Sequence, residues 1–143
     1  MFGTVEVIPL EKLIGHDDIY GNQIWPSRLK PGIVKKICYR IYKDSSSVTY
    51  DINGGFKKYV NVEDCLSSSA IYRETLSFET AYQLKDTVMI EIAGLKRKAA
   101  VDSIEVNWMD DTCIVRYAVR DRTETVYYGV SEKLLEKWNE GYQ

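Results

Sequence analysis

The fold is decided by residues 34–41, VKKICYRI, and by residues 101–108, VDSIEVNW. From the fourth position of each stretch to its end, a hydrophobic residue stands at every second position. This period of two predicts a β-strand with one buried face. The two stretches lie 67 residues apart, and this spacing indicates an internal repeat.

The repeat extends beyond these strands at the same spacing. Residues 48–52, VTYDI, match residues 115–119, VRYAV, and both alternate in the same way. The connecting stretches are short and polar, which predicts an antiparallel hairpin in each copy. Further apolar runs flank the hairpins at 19–25, 58–62, 87–93 and 125–130. Four or five short strands in about 55 residues are the content of a small closed β-barrel.

We therefore predict a mainly β chain with two domains and a linker. The first barrel is predicted at 1–66, the Ser-rich linker at 67–83 and the second barrel at 84–143. A short C-terminal helix is predicted over 131–138, because Ser131 is a typical cap residue and apolar residues follow it at helical spacing.

Both copies resemble the small SH3-like barrel proteins of bacteriophages and bacterial mobile elements. The resemblance lies in residues 31–39 (PGIVKKICY), 48–52 and 59–66 (YVNVEDCL) of the first copy, and in Val101, Ile104, 115–117 (VRY) and 130–134 (VSEKL) of the second. It implies two tandem SH3-like barrels in an accessory protein encoded by a phage or mobile element. Some phage proteins of this size inhibit host defence systems such as CRISPR. The motifs fix core and turn positions, so the resemblance assigns no catalytic residue.

Composition excludes several classes of function. The 143 residues carry a formal net charge of −2, so no overall field draws the protein to nucleic acid or to an anionic membrane. No apolar stretch approaches the ~18 residues of a membrane span, and the N-terminus lacks the layout of a signal peptide. We therefore expect a cytoplasmic protein. Its three cysteines are widely spaced, which is typical of reduced thiols.

The sequence contains no motif that predicts catalysis. Its single histidine, His16, lies in a polar run, and we expect an exposed loop residue there. The GxSxG, GxGxxG and P-loop motifs are absent, and paired carboxylates such as Asp110 and Asp111 are typical of turns. We expect a binding protein with no enzymatic activity, no cofactor and no metal.

The favoured partner is another protein, and the second copy supplies the predicted surface. Arg, Tyr and Trp dominate the energetic centres of protein interfaces. Only one of two adjacent aromatic residues in a strand faces the core, so one of Tyr127 and Tyr128 is expected to face solvent. The predicted partner-binding residues are Arg116, Arg120, Arg122, Tyr127 and Tyr128. The alternative explanation is that these side chains cover a thin core.

Nucleic-acid binding by the first copy is the alternative function. Basic residues interleaved with tyrosines are typical of surfaces that contact phosphates and stack bases. The candidates are Lys35, Lys36, Arg40, Lys43, Lys57 and Lys58. At the positions equivalent to the first four, the second copy has Asp102, Ser103, Asn107 and Asp110. This difference in charge indicates either drift of solvated surfaces or docking of one copy on the other, within the chain or in a homo-oligomer.

Overall fold

The structure is a computed structural model that describes residues 1–10, 13–14, 32–53 and 73–138. Its strands are β1 Phe2–Val7, β2 Leu13–Ile14, β3 Gly32–Ile41, β4 Ser46–Asn53, β5 Glu74–Glu79, β6 Thr87–Ile92, β7 Leu95–Met109, β8 Thr112–Asp121, β9 Val126–Ser131 and β10 Leu135–Lys137. The prediction of a mainly β chain is confirmed. The predictions for His16, Lys57, Lys58 and the apolar runs at 19–25 and 58–62 lie outside the described residues.

The 15-residue strand β7 organises the larger of two sheets. Strand β8 pairs with one edge of β7, while the other edge pairs with β6 over residues 95–100 and with β3 over residues 104–109. The hairpins of both predicted copies therefore lie in one eight-stranded sheet. Neither sheet closes on itself within the described ranges, and β5 falls inside the segment 67–83. The division into two barrel domains stays a prediction.

The hairpins β3–β4 and β7–β8 have the same register at the spacing of 67 residues. Ile37 lies opposite Tyr50, and Ile104 lies opposite Tyr117. Each hairpin also has a register shift at the matching place, immediately after Val34 and immediately after Val101. A β-bulge is a specific feature of the backbone. Shared pairing and a shared bulge position make the two hairpins structurally equivalent.

The equivalent hairpins are related by an approximate two-fold axis. Strands β3 and β7 are antiparallel, and Tyr39 lies directly opposite Val106, which is its own counterpart at the spacing of 67 residues. Because the pairing is centred on equivalent residues, a half-turn about an axis through this centre places each hairpin on the other. The turn after β3 and the turn after β7 therefore lie at opposite ends of the sheet.

The core lies between this sheet and the two-stranded sheet of β1 and β5. Phe78 of β5 packs edge-on against Tyr39 at 5.6 Å and against Trp108 at 6.2 Å between ring centroids. The backbone N–H of Ile8, just after β1, donates to the buried Tyr50 hydroxyl at 2.9 Å. Alternate residues of a strand share a face. The hydrophobic residues that alternate in the sequence are therefore the ones buried in this core.

The predicted C-terminal helix over residues 131–138 is wrong. Ser131 does act as a cap, because its side chain accepts a hydrogen bond from the Lys133 N–H, but the capped element is a 3-10 turn of three residues, Glu132–Leu134. Strand β10 follows, and Leu135 in it is 5% exposed opposite Ile90 of β6. A short helix is marginal alone, whereas pairing with the edge of β6 satisfies the backbone and buries Leu135.

In the part of the chain that the structure describes, we find no helix with the length and apolar character of a membrane span.

Candidate functional site

The predicted partner-binding residues of β8 lie on the outer face of the sheet, which is the face turned away from the core. Tyr117 and Val119 are buried in the core, so the alternating neighbours Arg116 and Arg120 face outward. On the adjacent strand β9, Tyr128 is 80% exposed. The register of β8 and β9 places Tyr128 beside the outward position between the two arginines.

Exposure distinguishes the two adjacent tyrosines, as predicted. Tyr127 is half-buried, and its hydroxyl donates a hydrogen bond to Asp121 Oδ2 at 3.0 Å. Desolvation and this hydrogen bond raise the pKa of the Tyr127 hydroxyl. Gly129 follows Tyr128 and has φ at 65°. It lies where the pairing of β8 with β9 shifts register. Tyr127 is therefore a structural residue, whereas Tyr128 is exposed to solvent.

The three predicted arginines differ in what they already bind. The guanidinium of Arg120 pairs with Asp102 and with Glu124, each at an N–O distance of 3.3 Å. The hydrogen bond to Asp102 is the main cause of a raised pKa at Arg120. Within the described ranges, Arg116 and Arg122 have no ion-pair partner. Arg116 is therefore the uncompensated cation beside Tyr128.

Two exposed hydrophobic residues extend this surface. Ile114 is 43% exposed and lies two residues before Arg116, on the same face of β8. Met109 is 45% exposed at the end of β7, where the turn to β8 begins. We call Met109, Ile114, Arg116 and Tyr128 the β8–β9 patch. The sequence reasoning missed Ile114, although its place in the outward phase of β8 was the available signal.

Of the basic residues predicted for nucleic acid, the four that the structure describes differ in their surroundings. Arg40 is already paired with Glu105 at 3.4 Å, across β3 and β7. Lys36 lies opposite Asp51 in the hairpin, and Lys43 lies beyond the end of β3 in the turn. Lys35 is exposed at the bulge. The Arg40–Glu105 pair is a contact between the two predicted copies within the chain.

A pocket of about 430 Å³ lies at the turn after β3. Its basic lining residues are Lys43, Lys85, Lys98, Arg120 and Arg122, and its acidic ones are Asp102, Asp121 and Glu124. The pocket combines Lys43 from the first predicted set with Arg120 and Arg122 from the second. The sequence could not show this, because the lining comes from four separate stretches of the chain, at residues 43, 84–87, 98–102 and 120–124.

A second pocket of about 330 Å³ lies at the opposite end of the sheet, beside the turn after β7. Its charged lining is acidic and consists of Glu74, Asp110 and Asp111. Trp108, which is 8% exposed, forms part of its wall. The two hairpin turns therefore lie beside pockets of opposite charge.

The described cysteines do not have the properties of reactive nucleophiles. Cys38 is buried and Cys113 is exposed, and neither is in a disulfide. Desolvation is the main cause of a raised pKa at both thiols. A raised pKa keeps a thiol protonated, and the thiolate is the reactive form. In the described part of the chain, no group of three or more His, Cys, Asp or Glu residues is placed to hold a metal ion.

Comparison of the chain with protein-family models, with curated proteins and with solved structures gives no match.

Proposed function

We propose that the chain is a non-enzymatic binding protein that docks on a protein partner through the β8–β9 patch. The observation that carries the proposal is the position of Tyr128, 80% exposed on the same face as Arg116, which has no ion-pair partner among the described residues. Tyr and Arg side chains are over-represented among the residues that dominate binding energy. An exposed Tyr supplies a large contact area with few rotatable bonds to immobilise.

The side chains of the patch indicate which groups a complementary partner surface contains. Arg116 needs a carboxylate or a set of carbonyl oxygens, since a guanidinium donates up to five hydrogen bonds in a fixed plane. Ile114 and Met109 need an apolar area beside it. The complementary surface therefore has an acidic group next to a hydrophobic depression.

A small protein that covers such a surface on a host or defence factor would act as an inhibitor, and we propose this role together with phage or mobile-element origin. The equivalent hairpins support the internal repeat that underlies the resemblance to tandem SH3-like barrels. Nucleic-acid binding by the first copy is the second proposal, and the Arg40–Glu105 pair weakens it because one of its cations is already neutralised.

Capture of partners from a bacterial lysate tests the patch when it is done with matched variants. Arg116→Glu/Tyr128→Ala removes the cation and the exposed ring, and both side chains lie outside the core. Tyr42→Ala/Lys137→Glu makes the same kinds of change at two exposed residues away from the patch. We expect a protein that binds the native chain and the control but is lost, at least about tenfold in amount, with the patch variant.

Two results would overturn the proposal. One is a captured protein that binds the patch variant as well as the native chain. The other is binding that a nuclease abolishes and that weakens steeply as salt rises, since this would indicate nucleic acid as the ligand.

A further inference from the structure

We infer that the basic pocket at the turn after β3 is a binding site for an organic polyphosphate, such as a nucleoside triphosphate. This site is separate from the β8–β9 patch, and the inference does not depend on the proposed protein partner. The pocket has a volume of about 430 Å³, which is within the range of small-molecule sites and exceeds the needs of a single inorganic ion.

The charge of the pocket comes from four cations that reach it from different elements. Lys43 is in the turn after β3, Lys85 is in the turn before β6, Lys98 is in β7 and Arg122 is in the turn after β8. None of the four has an ion-pair partner in the part of the chain that the structure describes. Lys98 Nζ lies 5.1 Å from the centroid of the Trp138 ring, in a cation–π contact that leaves its charge uncancelled. Convergence of uncompensated cations on a concave surface favours a ligand with several negative charges.

The carboxylates of the lining do not neutralise these cations. Asp102 and Glu124 both pair with Arg120. Asp121 accepts hydrogen bonds from the Thr123 side chain at 2.6 Å and from the Tyr127 hydroxyl at 3.0 Å, and its Oδ2 lies 3.8 Å from Arg97. All three acidic groups are therefore occupied by other partners.

The backbone of the pocket rim is held in place at Lys85. Lys85 has φ at 71°, and its N–H donates to the Val101 carbonyl at 2.9 Å, so the turn is attached to β7. The bulge of β7 falls at Asp102, next to this contact. Glu124, on the opposite rim, has φ at 66°. A held backbone reduces the cost of ordering the turn when a ligand binds, although each long side chain still loses rotamer freedom.

The uncharged lining explains why an organic ligand fits better than a bare anion. Leu84, Ala99, Ala100 and Val101 form the apolar part of the wall. A phosphate chain that contacts the lysines and Arg122 leaves the rest of the ligand against these small hydrophobic residues. A nucleoside triphosphate has both parts, several negative charges and an aromatic base whose faces can lie against apolar side chains.

Isothermal titration with ATP, inorganic triphosphate and adenosine tests the site on the intact chain. We expect ATP to bind with a dissociation constant below about 1 mM, and more tightly than either inorganic triphosphate or adenosine. Binding of ATP should weaken as the salt concentration rises from about 50 to about 300 mM, because the contacts are between charges.

A matched pair of variants locates the binding. Lys43→Glu/Arg122→Glu reverses two charges in the pocket, and Lys133→Glu/Lys137→Glu reverses two exposed lysines that do not line it. We expect the pocket variant to raise the dissociation constant for ATP at least about tenfold and the control to change it less than about twofold. Lys43→Gln/Arg122→Gln should give an intermediate loss.

Three outcomes would overturn the inference. They are no binding of ATP by the native chain, equal weakening by the pocket and control variants, and binding of a single-stranded oligonucleotide that is much tighter than that of ATP and is lost in the same pocket variant. The last result would assign the pocket to a nucleic-acid backbone instead.

Discussion

The hairpins β3–β4 and β7–β8 have the same backbone pairing but different residues on their surfaces. Both bury an isoleucine opposite a tyrosine, at Ile37 with Tyr50 and at Ile104 with Tyr117. Their turns differ, because Lys43 occupies the position that Asp110 occupies in the second hairpin. Pairing and packing constrain the core positions of both hairpins in the same way, while the outward positions can differ in charge and polarity.

The approximate two-fold axis converts this difference in sequence into a difference between the ends of the sheet. The basic pocket lies at the Lys43 turn, and the acidic pocket lies at the turn that contains Asp110 and Asp111. Had β3 and β7 been parallel, both turns would lie at one end and their charges would offset each other. The antiparallel pairing instead separates a cationic site from an anionic one.

Substitution of the equivalent core isoleucines should give the largest effect. Ile37 is 0% exposed and Ile104 is 1% exposed. We expect Ile37→Ala and Ile104→Ala each to lower the free energy of unfolding by about 2–5 kcal/mol, because each leaves a cavity in the shared core. Ile114→Ala, on the outer face, is the control and should cost less than about 1 kcal/mol. Urea denaturation measures all three, and a loss below about 1 kcal/mol at either core site would break the equivalence of the hairpins.

Removal of the two core hydroxyl groups should give the next largest effect. The Tyr117 hydroxyl accepts hydrogen bonds from the N–H of Ala81 at 3.1 Å and of Tyr82 at 3.3 Å, and it donates to Glu132. We expect Tyr117→Phe to cost about 1–3 kcal/mol, because the Tyr82 N–H and Glu132 each lose a partner, while the Ala81 N–H keeps its bond to Glu132 Oε1 at 3.0 Å. We expect Tyr50→Phe to cost about 1 kcal/mol or more, because the buried N–H of Ile8 loses its partner. Thermal and urea unfolding measure the costs. A stable Tyr117→Phe variant with unchanged unfolding would contradict the hydrogen bonds at this site.

The dependence of stability on alkaline pH should distinguish the second tyrosine. Desolvation, followed by the hydrogen bond to Glu132, raises the pKa of Tyr117 well above its usual value near 10. The folded chain then holds the proton more tightly than the unfolded chain, so this stabilisation is complete below about pH 10 and falls as the pH rises above it. We expect Tyr117→Phe to lose stability less steeply than the native chain above about pH 10. Equal slopes in urea titrations at several pH values would exclude Tyr117 as the cause.

The smallest effect on stability is expected in the β8–β9 patch. Arg116→Glu and Tyr128→Ala change exposed side chains, and such substitutions usually alter the free energy of unfolding by less than about 0.5 kcal/mol. Differential scanning calorimetry should therefore show nearly unchanged unfolding. A large drop in the unfolding temperature would mean that the patch belongs to the core of the fold.

The sequence predicts the hairpins well because their register depends on local patterns. Alternation places Ile37 and Ile104 inward, and it assigns one of Tyr127 and Tyr128 to solvent before the structure shows which one. The strand β10 is missed because its apolar residues are compatible with a helix, and only the free edge of β6 decides between the two. That edge is a long-range feature which no window of sequence contains.

The candidate sites are less predictable than the fold, for the same physical reason. The alternation in β8 is enough to assign Arg116 to the outer face from the sequence alone, and the same alternation assigns Ile114 to that face. The basic pocket requires the turn after β3 to meet the turn before β6, and this depends on both strands sharing one edge of β7. The neighbours of Lys43 in sequence therefore do not indicate that it lines a pocket with Lys85, Lys98 and Arg122.

Cross-strand nuclear Overhauser effects between β3 and β7 test the central feature of this arrangement most directly. One sheet with an axis at Tyr39 and Val106 predicts backbone contacts between Cys38 and Asn107 and between Arg40 and Glu105, in addition to contacts within each hairpin. Contacts within the hairpins but none between β3 and β7, or contacts between these strands in another register, would contradict it.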